Sequence, residues 1–303
     1  MYVKLAELDG IQLFGHFIMV DEAQDLSPVM ISIIRQQKHM QVIAVGDNAQ
    51  SINRWMGSVS LLKHMSHAQK CQLSESFRFG PEIADVANEI LDLLPTGMRL
   101  EGKGGPSKVT MLDNPSCWLF RGNAGTVSQA LVELSKNRKF HITGDVSGIV
   151  RFCEGVRDLQ AGQRSFHPDL ATFETFAEFE KYVETDEGAS DLKLMVKLIE
   201  DHGVEKIINA LGLQTTMKKA DVVLSTAHKT KGMAFDTVAL GPDFAPLHES
   251  GEDELMLLYV AVTRAKKALD ISLVDFGDDD TQDAADGATR QTYSISDIRP
   301  ANA

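Results

Sequence analysis

The pattern of apolar and polar residues predicts that this chain begins with alternating strands and helices. Two apolar runs of strand length lie at residues 14–20 and 41–45, and each is followed by a polar loop. Between them, Ser27 and Pro28 are the residue types expected at the N-cap and first position of a helix, which we expect to end near Gln37. Strands that alternate with helices favour a parallel sheet with its site at the carboxyl ends of the strands.

A second set of elements follows a Gly- and Pro-rich stretch at 95–106. Before that stretch, apolar residues at three-to-four spacing predict a helix over 81–94, and the stretch itself predicts a domain boundary. Residues 149–220 are helical in pattern and acidic, and they interrupt a group of strand-like runs. We predict these strands at 109–112, 117–120, 222–225, 237–240 and 269–274.

These patterns divide the chain into four parts. A first α/β lobe occupies residues 1–95. A second lobe occupies 96–148 and 221–275, with a helical insertion at 149–220. Residues 276–303 are rich in Asp and have little apolar periodicity, so we predict an acidic disordered tail there.

The composition limits the class of protein. With 303 residues, of which 43% are hydrophobic and 24% charged, disorder throughout the chain is excluded. No apolar run approaches the roughly 18–20 residues needed to cross a bilayer, so we expect no membrane partner. Cys71, Cys117 and Cys153 form no Cys-x-x-Cys pair. This argues against a zinc site or a disulfide framework and favours a reducing compartment, the cytoplasm or, in a eukaryote, the nucleus.

The net charge of −13 argues at first against nucleic acid as a partner. The acidic residues are unevenly distributed, however. Residues 275–303 carry seven Asp and two Arg, and residues 169–206 carry eleven acidic residues and four Lys. The rest of the chain is therefore close to neutral, and the whole-chain charge does not exclude a nucleic-acid groove.

Two adjacent carboxylates, Asp21 and Glu22, follow the first apolar run. This arrangement suits nucleoside triphosphate hydrolysis, in which one carboxylate holds Mg²⁺ and its neighbour orients or deprotonates the attacking water. Acidic residues at a strand end are equally typical of a solvated loop. The segment 21–25 alone therefore leaves both interpretations open.

Further polar, aromatic and arginine side chains are candidates for binding a nucleotide or a base. Gln50 lies in the next polar loop, where it could sense a γ-phosphate. Trp55 could stack on a base, although a plain core position is the alternative. Phe77 and Arg78 precede the helix predicted at 81–94. The forked, permanently charged guanidinium fits phosphate, and an ordinary surface arginine is the alternative.

Two later segments of the chain also carry candidate binding residues. Residues 224–236 form a polar, basic turn between two predicted strands. Residues 257–269 predict an apolar helix that carries Arg264 where a phosphate could meet it. A core helix with a cationic C-terminal end, which the helix dipole favours, is the alternative.

Together and in this order, these five segments resemble the motor core of superfamily 1 DNA helicases of the UvrD/Rep type. Residues 76–83 and 257–267 look most like the F-box DNA helicase branch, and the resemblance covers residues 14–275. It implies an α/β fold of two RecA-like P-loop helicase lobes, with parallel sheets flanked by helices. It also implies ATP and Mg²⁺ as cofactors, single-stranded DNA as partner, 3′→5′ movement, and a place in DNA repair or recombination.

The resemblance implies a role for each site residue. Asp21 would hold Mg²⁺, and Phe77 would lie against the adenine. The implied catalytic residues are the base Glu22, the phosphate sensor Gln50 and the arginine fingers Arg78 and Arg264. The implied DNA contacts are Trp55, Thr226, His228 and Lys231, with Gly232 assigned to the nucleotide site.

One motif of the family is missing from the sequence. No Gly-x4-Gly-Lys-Ser/Thr loop occurs, the single Gly-Lys pair at 102–103 lacks this context, and only twenty residues precede Asp21. We therefore expect an incomplete first lobe with an exposed apolar sheet edge, and either poor stability or a complementing N-terminal helicase fragment. Ala234, Asn53 and Met56 also differ from the residues usual in the family.

Two hypotheses follow. The first is an ATP-dependent DNA helicase or translocase, present as a fragment or split half that is inactive alone. The second is a non-catalytic DNA-binding or interaction protein derived from a helicase. Salt-sensitive binding of single strands without ATP hydrolysis would distinguish the second from the first.

Overall fold

The computed structural model describes residues 2–186 and 190–277, and the strands in these residues form three sheets. The sheets have two, six and two strands, and every strand pair within them is parallel. Helices flank the six-stranded sheet on both sides. The predicted α/β fold is confirmed, and it is consistent with RecA-like lobes.

The first lobe is built around a two-stranded sheet. Its elements are α1 (Tyr2–Leu8), β1 (Phe17–Val20), α2 (Pro28–Gln36) and β2 (Gln41–Ala44), followed by 3₁₀ turns at Asn48–Gln50, Arg54–Met56 and Leu61–His64. Ser27 caps α2, because its hydroxyl oxygen accepts from the Met30 amide at 3.4 Å, and Pro28 is the first helical residue. The predicted start of this helix is therefore confirmed. The strand predicted at 14–20 is shorter than expected and begins at Phe17.

The remaining elements surround the six-stranded sheet. They are β3 (Glu75–Ser76), α3 (Pro81–Asp92), β4 (Glu101–Gly102), β5 (Lys108–Val109), β6 (Cys117–Phe120), α4 (Asn123–Ser135), β7 (Phe140–Ile142), α5 (Ser147–Gln160), α6 (Phe176–Thr185), α7 (Ser190–His202), α8 (Val204–Gly212), β8 (Val222–Thr226), β9 (Phe235–Leu240), α9 (Glu252–Val262) and β10 (Ala265–Asp270). The strand order is β5-β10-β9-β6-β8-β7. Because all the strands are parallel, the loops that follow β6, β8 and β9 lie at one edge of the sheet.

Both faces of the six-stranded sheet are buried. Val223 of β8 faces a core that includes α3 and α9, whereas Val222 and Leu224 face a second core formed with α4, α5 and the helices after it. This alternation is the two-residue period of a strand. The helices within residues 149–220 thus cover one face of the six-stranded sheet.

Some elements differ from the expectations. The segment 257–269 is not one helix, because α9 ends at Val262, a turn at Thr263 and Arg264 redirects the chain, and β10 begins at Ala265. That helix prediction was wrong: from Leu255 onward α9 is apolar on every side and buried, so its end is not marked by a change in polarity.

Strand β7 was not predicted, because its three residues include the polar His141. Helix α3 was assigned to the first lobe, yet its apolar face packs in the same core as α9. Residues 278–303 lie outside the described residues, so the disordered tail stays a prediction. None of the described helices combines the length and the apolar character that a membrane crossing requires.

Candidate functional site

The predicted catalytic carboxylate lies in a tightly held loop at the carboxyl end of β1. Glu22 has a φ of +50°, in the left-handed region that side chains other than glycine rarely adopt. The buried Gln24 fixes this turn, because its amide nitrogen donates to Glu22 Oε2 at 2.6 Å. The Gln24 Oε1 atom accepts from the Asp47 amide at 3.1 Å and so joins this loop to the loop after β2. Sequence reasoning did not single out Gln24, although it lies inside the acidic segment.

Gly46 permits this close approach of the two loops. A Cβ atom at this position would lie 2.5 Å from Gln24 Oε1 and 3.0 Å from the Ala23 amide nitrogen. The first distance is shorter than real Cβ contacts and the second is tight, so any other residue at this position would displace the Gln24 side chain from its place between the loops. The short polar loop after β2 is therefore part of the support for Glu22.

A lysine from the second lobe reaches these carboxylates. The Lys231 ammonium contacts the Asp25 carboxylate, lies 3.2 Å from Glu22 Oε2, and donates to the Gln50 carbonyl oxygen at 2.9 Å. Only 14% of the Lys231 side chain is exposed. Partial burial opposes ionisation of Glu22, but the hydrogen bond from Gln24 and the charge of Lys231 outweigh it, and the pKa of Glu22 is lowered. Glu22 is therefore ionised at neutral pH, as a general base must be.

Gln50 and Arg264 meet beside this cluster. The Gln50 amide nitrogen donates to Asp47 Oδ2 at 2.8 Å, and its oxygen accepts from Arg264 Nη2 at 3.4 Å. Arg264 is 1% exposed, and two backbone carbonyl oxygens accept from its guanidinium at 2.8 and 3.1 Å. Burial, and next the nearby charge of Arg78, lower the pKa of Arg264 to about 10. The guanidinium therefore remains charged at neutral pH and is fixed in position.

Tyr259 links the same network to α9. Its hydroxyl donates to Asp47 Oδ2 at 3.1 Å, so that this carboxylate accepts from both Gln50 and Tyr259. Burial, together with the Asp47 charge, raises the pKa of Tyr259 far above its ordinary value, and the phenol stays a donor. Sequence reasoning missed Tyr259 and Asp47, because each looked like an ordinary member of its motif.

Phe77 and Arg78 lie at the open side of this network. The Arg78 Nη1 atom donates to the Thr263 carbonyl oxygen at 3.0 Å, next to Arg264 in sequence. The Phe77 ring is 75% exposed. Both residues therefore remain accessible to a ligand at the boundary between the lobes.

A cleft of about 360 Å³ lies next to the predicted base-stacking residue. It is lined by Ile52, Arg54, Trp55, Arg121, His228, Asp253, Glu254 and Leu257. Trp55 is 76% exposed, so its indole is free to meet a ligand. Burial, and next the charge of Arg121, lower the pKa of His228, which is therefore neutral at pH 7.

The structure separates the four predicted DNA contacts. Trp55 and His228 share the cleft. Thr226 is buried at the end of β8, and Lys231 is directed into the acidic cluster. The DNA contacts of Thr226 and Lys231 therefore stay predictions that need another conformation of the lobes.

The residues present fit a magnesium nucleotide in part. Asp21 is exposed at the carboxyl end of β1, and its Oδ1 accepts from the Glu22 amide at 2.9 Å. In the part of the chain that the structure describes, no group of three or more metal-ligating side chains occurs. Mg²⁺ needs only one or two carboxylates when phosphate oxygens and water complete its octahedron, so Asp21 is a sufficient protein ligand. Gly232 has a φ of +81° with open space around its Cα, which leaves its backbone accessible.

Comparisons with known proteins identify helicase domains in this chain. Residues 10–69 match the UvrD/REP helicase N-terminal domain, and residues 160–275 match the UvrD-like helicase C-terminal domain. The chain is 31% identical over 310 residues to F-box DNA helicase protein 1 of Schizosaccharomyces pombe, covering 88% of this chain and 35% of that protein. It is 34% identical over 314 residues to F-box DNA helicase 1 of Gallus gallus, covering 88% of this chain and 30% of that protein.

A shorter match is found with a bacterial helicase. DNA helicase IV of Escherichia coli is 30% identical over 109 residues, which is 32% of this chain and 16% of that protein. The chain thus spans about a third of the length of the F-box DNA helicases that it matches. One domain match contains Glu22 and Gln50 and the other contains Arg264, and the chain belongs to the UvrD/Rep-type DNA helicase family.

Proposed function

We propose that this chain supplies the second lobe and part of the first lobe of an ATP-driven motor that moves 3′→5′ along single-stranded DNA. The observation that carries the proposal is the convergence of residues from both lobes on one point. Glu22 and Gln50 come from the first lobe, Lys231 and Arg264 from the second, and hydrogen bonds or ion pairs join them. A site shared by two lobes can convert hydrolysis of one nucleotide into relative movement of the lobes.

Each side chain has a distinct part in the proposed reaction. Glu22, ionised and aimed by Gln24, would orient and deprotonate the water that attacks the γ-phosphorus. Asp21 would hold Mg²⁺, which neutralises charge on the phosphates. Arg264 and Arg78 would stabilise the charge that develops on the transferred phosphoryl group. Phe77 would pack against the base.

The cleft beside Trp55 is the proposed DNA track. An exposed indole offers a stacking platform for any base, which gives grip without sequence preference. His228 lines the same cleft and comes from the turn that also carries Lys231 and Gly232. Movement of this turn would couple the nucleotide to the strand of DNA.

We propose in addition that a helicase N-terminal segment on another stretch of polypeptide completes the first lobe. The outward face of the two-stranded sheet carries exposed apolar side chains at Phe17, Met19, Ile43 and Val45. Parallel sheets are normally covered on both faces, so this face needs a partner. Such a segment would also carry the Gly-x4-Gly-Lys-Ser/Thr loop that cradles the phosphates.

DNA-stimulated ATP hydrolysis tests the proposal. The 303-residue chain alone is expected to show no turnover above background, whereas addition of a helicase N-terminal segment with an intact phosphate loop restores turnover. Glu22→Gln, which keeps the shape of the side chain, should abolish the restored activity. Turnover that is unaffected by Glu22→Gln would contradict the proposal.

A second candidate function is a non-catalytic DNA-binding protein. It is favoured by the ion pair between Lys231 and Glu22, which occupies the base in this conformation. It predicts salt-sensitive single-strand binding that Trp55→Ala weakens, with no ATP hydrolysis even when the N-terminal segment is added. Either function places the protein in the cytoplasm or the nucleus, where its DNA is found.

A further inference from the structure

The cleft beside Trp55 contains carboxylates, although a surface that binds DNA phosphates needs positive charge. Helix α9 begins with three acidic residues, Glu252, Asp253 and Glu254, and two of them line the cleft with Trp55. Free carboxylates at this position would repel a nucleic-acid backbone. Their presence therefore calls for a physical explanation.

These three carboxylates hold the two arginines of the cleft. Glu254 forms a two-pronged pair with Arg121, at 2.7 Å from Nη2 and 3.3 Å from Nε. Glu252 lies 3.1 Å from Arg54 Nη1 and 3.4 Å from its Nη2, and Asp253 lies 3.4 Å from the same Nη1. Every guanidinium that lines the cleft is therefore paired with the first turn of α9.

The helix dipole alone does not explain this arrangement. Acidic side chains in the first turn of any helix are favourable, and that effect accounts for their position in the sequence. It does not account for their pairing with arginines from two different lobes, Arg54 beside Trp55 and Arg121 after β6. Forked guanidinium groups match carboxylate and phosphate oxygens in the same geometry, so the two ligands compete.

We propose that Arg54 and Arg121 are binding sites for DNA phosphates and that the first turn of α9 occupies them as an internal substitute for the phosphodiester backbone. This inference rests on the proposed function. A single strand enters by displacing the carboxylates of Glu252, Asp253 and Glu254 from the two arginines. Because the Arg54 pairs join the first lobe to α9, displacement also loosens a contact between the lobes, so that DNA entry and lobe movement are linked.

The competition has a measurable signature. When a paired arginine takes a DNA phosphate, the cation released from the DNA is offset by a cation attracted to the freed carboxylate, whereas a free arginine gives the full release. Neutralising the turn should therefore make the salt dependence of binding steeper, by roughly 0.7 in log K against log salt for each arginine freed. Binding should become roughly three- to tenfold tighter at low salt, as expected when DNA no longer breaks the partly exposed ion pairs of two arginines.

Fluorescence anisotropy with a labelled oligothymidylate tests this proposal on the full chain. The test variant combines Glu252→Gln, Asp253→Asn and Glu254→Gln. The matched control combines Asp85→Asn, Asp113→Asn and Asp201→Asn, which removes the same charge from exposed carboxylates outside the cleft. The single variant Glu254→Gln, which frees Arg121 alone, serves if the triple variant folds poorly by circular dichroism.

The expected result is tighter binding and a steeper salt slope in the test variant than in the control. Arg54→Gln and Arg121→Gln should each remove part of that gain. Equal affinity and equal slope in the test and control variants would overturn the inference while leaving the proposed function intact. Failure of every variant to bind the oligonucleotide at low salt would instead contradict the proposed function and the inference together.

Discussion

The six-stranded sheet and the two-stranded sheet are made from similar apolar strands but differ in how they are covered. Val222, Val223 and Leu224 of β8 are all buried, because helices lie on both faces of that sheet. In β1 only one face is packed, so that Val20 is buried whereas Met19, the residue before it, is 71% exposed. The six-stranded sheet therefore lies between two cores, whereas the two-stranded sheet packs against a single small one.

This difference in covering determines how each lobe holds its site residues in position. The second lobe can hold Arg264 and Tyr259 rigidly, because both are buried beside the large core that includes α3, α9 and the six-stranded sheet. The first lobe holds Glu22 through local contacts, namely Gln24 and Gly46, and through Lys231 from the other lobe. The proposed catalytic base is thus held by hydrogen bonds and an ion pair rather than by a large core.

A pair of core and surface substitutions should show the largest contrast. Leu119→Ala, at a fully buried position of β6, is expected to lower the free energy of unfolding of the second lobe by about 2–5 kcal/mol. Met19→Ala on the bare face of β1 should change stability by no more than about 0.5 kcal/mol. Urea unfolding followed by the fluorescence of Trp118 in β6 measures the first effect. Similar losses in both variants would mean that the bare face is covered in solution.

Removal of the lysine between the lobes should have an intermediate effect. Lys231→Met leaves the largely buried Asp25 and the more exposed Glu22 without their cation, and it should weaken the association of the lobes by about 1–3 kcal/mol. Hydrogen exchange at the 3₁₀ turn Asn48–Gln50 should accelerate, since Lys231 also binds the Gln50 carbonyl oxygen. Lys231→Arg keeps the charge and serves as the control. Unchanged exchange in Lys231→Met would show that the lobes do not depend on this contact.

Lysine substitutions test whether the exposed apolar face of the two-stranded sheet drives self-association. Phe17→Lys combined with Met19→Lys should weaken self-association of the isolated chain roughly tenfold or more, because a buried apolar contact would then have to desolvate two ammonium groups. Sedimentation velocity over a range of concentrations measures this. If the unmodified chain is a monomer with one sharp cooperative melt, the expected instability of this face is wrong.

The smallest effect concerns the pH dependence of stability. The pKa of Glu22 is lowered in the folded state, so its ionised form stabilises the fold above its ordinary value of 4.5, and this contribution is lost as the pH falls through the folded-state pKa. The stability of the wild type relative to Glu22→Gln should therefore fall by less than about 1 kcal/mol in acid. Urea midpoints at several pH values for both proteins measure it, and a change of opposite sign would contradict the assigned contacts.

The sequence predicted the parts of this molecule that depend on local pattern. The α/β class, the Ser27 cap of α2 and the amphipathic helix near α3 follow from periodicity and residue type. The end of α9 was not predictable, since a helix buried on all sides has no polar face whose loss marks its end. The assignment of α3 to the core of the second lobe depends on packing between segments far apart in the chain.

The candidate site divides in the same way. Glu22, Gln50 and Arg264 stand in recognisable motifs, and the structure brings them together. Gln24 and Tyr259 escaped notice because their roles consist of contacts with partners from other segments. The direction of Lys231 toward Asp25, rather than toward the cleft beside Trp55, is likewise a property of how the lobes meet and is not encoded in the motif.

The central claim is that residues of both lobes act on one nucleotide, and single-turnover ATP hydrolysis tests it most directly. The chain is combined with an N-terminal helicase segment and single-stranded DNA, and wild type is compared with Arg264→Lys, which keeps the charge but loses the fork. We predict a loss of roughly a thousandfold in the hydrolysis rate, comparable to that of Glu22→Gln, because an arginine finger is worth at least that much. Hydrolysis by Arg264→Lys within tenfold of the wild-type rate would contradict the account.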